Sequence, residues 1–495
     1  MTARAAPYRA SVGPTAPLTE ALIKSMCADW GQPGLAVGVV TEGDTVETFC
    51  TGVRQIGKQG TVTADTLFAA ASLTKSFAAA TVGVLVDQER LGFDDRVQRY
   101  LPDFTLFADP DAAAELTIRD LLSNRHGITS SEGRHRRCAT NKTDLMARMR
   151  YQPLRHRPRR GYGYASDAFT CVGAIVEAVT GERWDSFADR TLWQPLGMRR
   201  TNADHRLSRG DRDAATPHVI AGTRAVPIPW AYEEEAATPA GGLNSTVKDL
   251  TQWIRLFLNM GMHSGQQILQ EQTIQALLAP QVDEVGPFAD NDLSGVVGRG
   301  PGGIERQTYA LGWYQHQYHG ARVCYHTGSI DGFRAILGFL PEHQTGLVVL
   351  ANADNNFLPR ALFQQFVDHV LQRPDQAWSD RMRRYEADIR HSPQHTITSP
   401  PETACSVDLE RLCGRYHDHT GFGEAIVSLA RGYLVLTAGA ASFDLIPLGG
   451  LTFTARSGAP YAPLDQFTAD WRLDTDGRPT CFTTTQDAVF AYLCP

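Results

Sequence analysis

Residues Phe77 to Val86 present apolar groups on nearly every side of a helix: Phe77, Ala78, Ala79, Ala80, Val82, Val84, Leu85 and Val86 leave no polar stripe. Such a helix belongs in a protein interior and needs a full shell of other elements around it. Its run-up is Ser72-Leu73-Thr74-Lys75, which places a hydroxyl and an amine three residues apart on one helical face. Serine is a poor nucleophile at neutral pH unless a neighbour takes its proton. A lysine at the start of a buried helix is costly as an unpaired ammonium, so it must find partners or give up its charge. The pattern alone fits serine nucleophile chemistry at Ser72 with Lys75 as helper and, equally, a chance tetrad at the start of a core helix.

About one S-x-x-K tetrad arises by chance in a chain of this length. A second does occur, Ser245-Thr246-Val247-Lys248, but its helix is of a different kind. Leu250, Trp253, Ile254, Phe257 and Leu258 follow at amphipathic spacing, and Thr246 with Asp249 reads as a helix cap. That tetrad reads as an ordinary surface helix start.

The chain has 495 residues, 42% apolar and 20% charged, enough for a large core and more than one domain. A net charge of −7 argues against nucleic acid as a partner. No stretch reaches the roughly 20 apolar residues that span a bilayer, so no membrane partner is expected. Met1 to Thr15 lacks the apolar run of a secretion signal, which makes a cytoplasmic location the expectation. Nine scattered cysteines form no C-x-x-C pair, and neither a zinc site nor a disulfide framework is indicated. Without a phosphate-loop motif either, we expect no metal and no cofactor.

Along the chain, Leu18 to Trp30 suits a helix, and Leu35 to Val40 with Thr45 to Phe49 reads as a hairpin turned at Glu42-Gly43-Asp44. Helical signals dominate from Ile118 to Met260, including Cys171 to Val179. Strand signals resume at Val323 to Tyr325, Ala335 to Leu340 and Leu347 to Ala351, followed by a helix from Pro359 to Leu371. This order implies a sheet assembled from both chain ends around a helical insertion. Trp378 to Arg390 reads as a charged helix and His391 to Pro401 as a linker. Alternation in Glu424 to Leu429, Tyr433 to Thr437, Phe467 to Leu473 and Cys481 to Thr485 gives a small all-β C-terminal domain.

Several segments together carry a resemblance: Phe68 to Lys75, Leu116 to Asn124 with Gly127, Tyr164-Ala165-Ser166, Pro195-Leu196-Gly197-Met198, Ala240-Gly241-Gly242-Leu243 and His326-Thr327-Gly328-Ser329. In this order they resemble the serine β-lactamase-like superfamily, on the class C β-lactamase, esterase and D-aminopeptidase side. Leu412-Cys413-Gly414-Arg415-Tyr416 looks like the start of the lipocalin-like barrel appended to some members. The resemblance implies an α+β fold, an antiparallel sheet flanked by helices plus an all-helical lobe, followed by a small barrel. The implied divisions are an extension at 1–17, a catalytic domain at 18–374, a helix and linker at 375–404 and a β-domain at 405–495. It further implies Ser72 as acyl-accepting nucleophile, Lys75 and Tyr164 as its shared base, and backbone N–H groups of Ser72 and Ser329 as the oxyanion hole.

Two positions depart from the penicillin-recognising pattern. Tyr164-Ala165-Ser166 stands where many members have Tyr-x-Asn, and the Ser166 hydroxyl reaches less far than an amide. His326-Thr327-Gly328 replaces Lys-Thr-Gly, removing the fixed positive charge that suits a penicillin carboxylate. Ser166, His326, Thr327 and Gly328 are then expected to line a site for a small-molecule ester, amide or acyl-carrier-linked substrate. Hydrolysis is the first expectation, acyl transfer to an alcohol or amine the second, and a non-catalytic binding protein of this fold the third. Arg134 to Arg160 holds nine arginines and one acidic residue, Asp144. This segment reads either as a solvated face or as an attractor of acidic substrates, with Arg157 and Arg160 the candidates. Val282 to Arg306, rich in Gly, Asp and Pro, reads as a loop over the cleft or a surface excursion.

Overall fold

Val37 pairs with Val349 and, on its other side, with Phe49, so the first hairpin and a strand three hundred residues later form one sheet. The computed structural model describes residues 18–129, 141–221, 224–230, 238–283, 297, 303–354, 356–391, 408–418, 423–430, 433–438, 441–457, 467–484 and 489–494. Among these the chain falls into two compact units, one drawn from Met1–Asp87, Ala188–Ala231 and Leu243–His395, the other from Gln88–Phe187, Tyr232–Gly242 and Thr396–Pro495.

The first unit is built on an eight-stranded antiparallel sheet in the order Thr45–Gly52, Gly34–Thr41, Thr345–Ala351, Phe333–Leu340, Ala321–Ile330, Tyr314–Tyr318, Ile304–Tyr309, Val282–Asp283. Its central strands are buried on both faces and read as continuous apolar runs, as in Thr345–Ala351. Helices cover both faces. A Cβ on Gly38 would lie 2.8 Å from Val247, and one on Gly338 would lie 2.6 Å from Phe363. Gly38 registers with Val348 and Gly338 with Leu347, adjacent residues that point to opposite faces. Helix Val247–Leu258 therefore packs on one face and helix Leu358–Val370 on the other. The expected all-round apolar helix runs Thr74–Asp87 and buries every residue from Thr74 to Leu85. Its Phe77 ring stacks on Trp253 at 3.8 Å between centroids.

In the second unit, helices Ile118–Leu122, Lys142–Met149 and Ser166–Thr180 form part of the helical insertion. The C-terminal region forms a closed eight-stranded barrel from Gly414–Asp418 to Val489–Cys494, the last strand pairing with the first. Tyr416, Phe453, Trp471 and Phe482 are buried in its core. Trp471 Nε1 donates to Tyr416 Oη at 3.0 Å, and that hydroxyl donates to the Leu412 carbonyl at 2.8 Å. The indole and phenol thus keep partners inside an otherwise apolar core.

The expected Val282 to Arg306 excursion proves to begin and end in strands, Val282–Asp283 and Ile304–Tyr309, which pair with each other. Most of the remainder, with the expected His391 to Pro401 linker beyond His391 and with Arg134, Arg136 and Arg137, lies outside the described residues, His391 itself ending helix Trp378–His391.

Candidate active site

Strand Phe68–Ala71 leads directly into Ser72, and Ala71 takes a left-handed φ of +48°. This conformation is uncommon for a residue with a Cβ and costs on the order of 1 kcal/mol, so the surrounding structure must hold it. Thr74 supplies part of that hold: its hydroxyl donates to the Ala71 carbonyl and accepts from Leu243 N–H at 3.0 Å. The sharp turn sets Ser72, half-buried, just ahead of the helix. Lys75 Nζ donates to Ser72 Oγ at 3.0 Å, and Lys75 itself has no exposed surface. One turn on, Ser76 Oγ accepts from Trp253 Nε1 at 3.1 Å, tying the helix start to its neighbour.

The His326 strand runs alongside. A Cβ on Gly328 would fall 2.2 Å from the Ala70 carbonyl oxygen, so only glycine allows these two backbones to approach. Thr327 is buried and Ser329 exposed on the same strand. The His326 ring is completely buried. Its Nδ1 lies 2.7 Å from the Thr327 carbonyl, which can only accept, so Nδ1 carries the proton. Nε2 is then the acceptor, and Tyr309 Oη donates to it at 3.1 Å. Burial first, and the positive charge of Lys75 second, push the imidazole down to about 3, so it is neutral at physiological pH. The first unit thus brings together Ser72, Lys75, His326, Thr327 and Gly328.

Tyr164 and Ser166, both half-buried, belong to the second unit. Ser166 opens helix Ser166–Thr180, whose N-cap is Ala165, a residue without a capping side chain. The preceding backbone is instead fastened to Asn124. Gly163 N–H donates to the Asn124 carbonyl at 2.8 Å, and Ala165 N–H to its Oδ1 at 3.2 Å. Further back, the buried Asp120 carboxylate accepts from Arg125 Nε at 2.6 Å and from Arg159 NH2 at 2.8 Å. Burial raises the Asp120 carboxyl, but the bonds from Arg159, Arg125 and Thr117 N–H outweigh it and leave the group below the usual range.

The arginine-rich segment divides accordingly. Arg159 belongs to the Asp120 pair, and Arg148 bonds Asp144. Arg157 is 80% exposed, 3.9 Å from Asp109, and Arg160 is exposed. Ala71, Tyr309, Asp120 and Asn124 are contributors to which the sequence reading gave no role. A positive φ and contacts across strands or loops leave no mark in local spacing. Among the described residues no group of three or more His, Cys, Asp or Glu could hold a metal ion, and no helix is long and apolar enough to cross a membrane.

The family model for β-lactamase matches residues 19–366. The chain belongs to that family. Within the curated proteins it is similar to the unguisins hydrolase ungD of Aspergillus violaceofuscus, 27% identical over 439 residues that cover 82% of this chain and 76% of the relative. Its fold is similar to the octameric penicillin-binding protein homologue from Pyrococcus abyssi, with a TM-score of 0.61, 18% identity and coverage of 95% and 98% of the two chains. The D-amino acid amidase from Ochrobactrum anthropi SV3 shares the fold at a TM-score of 0.57 and 20% identity, covering 70% of this chain and 96% of the amidase. These likenesses agree with an α+β β-lactamase-type fold carrying an appended closed barrel. The family relationship and the hydrolase among the curated relatives support hydrolytic chemistry at the level of the family.

Proposed function

We propose that this chain is a cofactor-free serine hydrolase that cleaves an ester or amide through an acyl-enzyme on Ser72. The observation that carries the reading is the 3.0 Å bond between the buried Lys75 amine and Ser72 Oγ, set by a strained turn at the mouth of an apolar helix. In this reading Ser72 Oγ attacks the carbonyl carbon while its proton passes to the base shared by Lys75 and Tyr164. The N–H groups of Ser72 and Ser329 receive the oxyanion, each such donor being typically worth about 3 kcal/mol. The leaving group departs with a proton, and water assisted by the same base releases the acid. Catalysis is assigned to residues 18–374, with 405–495 an appended domain.

The neutral His326 supports substrates that need no fixed cation at that position, which ranks β-lactams below simple esters and amides. Its own partners, Tyr309 and the Thr327 carbonyl, satisfy both ring nitrogens. The relatives named as a hydrolase and an amidase favour hydrolysis over acyl transfer.

A fluorophosphonate probe tests the reading. Intact mass should show one adduct on the wild-type chain and none on Ser72→Ala, and an unchanged adduct on Ser72→Ala would sink it. Added alcohols in a turnover assay should leave the acid as the main product, whereas a dominant ester product would mark a transferase. Charge reversal at Arg157 and Arg160 should raise KM for an anionic ester severalfold and leave a neutral one unchanged. Equal effects on both would remove these arginines from substrate attraction.

A further inference from the structure

Tyr164 stands in a stretch without regular structure between Arg160 and the helix that begins at Ser166, and the helix itself contributes no capping side chain. Asn124 meets this stretch twice, accepting from the residue before Tyr164 with its main chain and from the residue after with its side chain. In extended backbone, N–H groups two residues apart point to the same side, so one acceptor residue can hold both and leave the tyrosine between them fixed in rotation. Asn124 is itself wholly buried and sits at φ +53°, a left-handed conformation that asparagine tolerates better than most residues. Its Nδ2 is buried without a hydrogen-bond partner among the described protein atoms, so the side chain is oriented by what Oδ1 does. Two further bonds secure the loop behind it: Arg159 N–H donates to the Arg125 carbonyl at 2.7 Å and Arg155 N–H to the Gly127 carbonyl at 2.8 Å.

We infer that Asn124 is a positioning residue for Tyr164, clamping the backbone on both sides so that the phenol is presented at one fixed angle for proton transfer. The inference rests on the proposed role of Tyr164 as part of the base. Asparagine answers both demands of the position, a left-handed backbone and a side-chain acceptor one bond longer than serine offers.

The test is a double-mutant cycle read by the second-order rate of fluorophosphonate labelling of Ser72, measured from pH 6 to 10. Asn124→Gly keeps the left-handed turn and the bond to Gly163 but loses the bond to Ala165. It should label about tenfold more slowly than wild type, the scale of one hydrogen bond's worth of orientation. In a Tyr164→Phe background the same change should cost less than about twofold, because nothing is left to position. A double variant labelling tenfold below Tyr164→Phe would show that Asn124 acts on stability alone and would overturn the inference, as would wild-type labelling by Asn124→Gly. Tyr164→Phe labelling at the wild-type rate would overturn the role of Tyr164 as well, whereas loss in Tyr164→Phe with no loss in Asn124→Gly would overturn only the clamp. Thermal melting reports whether Asn124→Gly folds. If it does not, Asn124→Asp, which keeps Oδ1, takes its place in the cycle: labelling within about threefold of wild type supports the clamp, and a tenfold loss independent of Tyr164 overturns it.

Discussion

Two Ser-x-x-Lys tetrads, at Ser72 and at Ser245, leave opposite ends of one antiparallel strand pair in this fold. The strands that lead into them pair with each other, Phe68 opposite Ser245 and Ala71 opposite Leu243. Each strand feeds a helix, yet the junctions differ. At the second, Thr246 is an ordinary N-cap with extended backbone whose hydroxyl accepts from Asp249 N–H at 3.1 Å. Ser245 is buried against Thr201, 2.8 Å between hydroxyls, and Lys248 points outward to Asp65 at 3.3 Å. At the first, Ala71 is forced left-handed, Ser72 stays half-buried, and Lys75 turns inward onto it. The same four-residue spacing therefore yields a lysine-serine hydrogen bond only where the helix is apolar all round and draws the lysine inside. Where the helix is amphipathic, the lysine falls on the wet face.

The largest expected effect separates the serines. Ser72→Ala should abolish fluorophosphonate labelling, a loss of at least a thousandfold. Ser245→Ala should label normally and lose about 1 kcal/mol of stability in urea unfolding, because Thr201 keeps its bond to Asp249 at 2.9 Å. Labelling that survives Ser72→Ala and vanishes in Ser245→Ala would invert the comparison. The lysines come next. Lys75→Ala should slow labelling by two to three orders of magnitude, whereas Lys248→Ala should leave the rate within twofold and stability within about 0.5 kcal/mol, as expected for an exposed pair.

The two regions should also respond to pH with opposite signs. The folded His326 imidazole lies near 3, below its unfolded value, so its contribution is complete above about pH 6.5 and declines as pH falls toward 3. Burial holds the Asp249 carboxyl above its ordinary value, so stability declines as pH rises from about 3.9 through the folded value. In urea unfolding from pH 3.5 to 7.5, His326→Gln should flatten the acid limb by up to about 1.4 kcal/mol per pH unit, the slope of one proton. Asp249→Asn should steepen the same curve, since it removes the opposing slope. Identical shifts from both substitutions would break the assignment.

Much of this contrast is legible in the sequence, because helix periodicity alone tells an inward lysine from an outward one. The hairpin at Gly34–Thr41 and Thr45–Gly52 and the strand Thr345–Ala351 also follow from their apolar runs and turn residues. Tyr314–Tyr318 and Ile304–Tyr309 do not. Gln307, Gln315 and His316 are buried there, so polar residues occupy interior positions and erase the alternation that marks a strand. The arginine run before Tyr164 is legible only in part: Arg157 and Arg160 are exposed, but Arg159 turns to a buried Asp120 thirty-nine residues earlier, and charge counting cannot see that distance. The left-handed Ala71 and the Asn124 bonds are set by tertiary contacts, and nothing local encodes them.

The smallest effect concerns the two junctions themselves. Thr246→Ala removes an N-cap and should cost about 1 kcal/mol. Ala71→Gly acts in the opposite direction and more weakly. Glycine adopts φ +48° without a Cβ penalty, a relief of about 1 kcal/mol, but its unfolded chain has more freedom to lose, about 0.5 to 1 kcal/mol. The net change should stay within about 0.5 kcal/mol in urea unfolding. Ala71 is buried, however, so its methyl also packs. A loss above about 1 kcal/mol would mean that packing, rather than backbone strain, distinguishes this junction. With Thr74 and Leu243 still holding the turn, the Ser72 labelling rate in Ala71→Gly should fall by less than about threefold. A much larger fall at unchanged stability would show that the strained alanine itself aims the serine, and would tighten the contrast with the relaxed cap at Thr246.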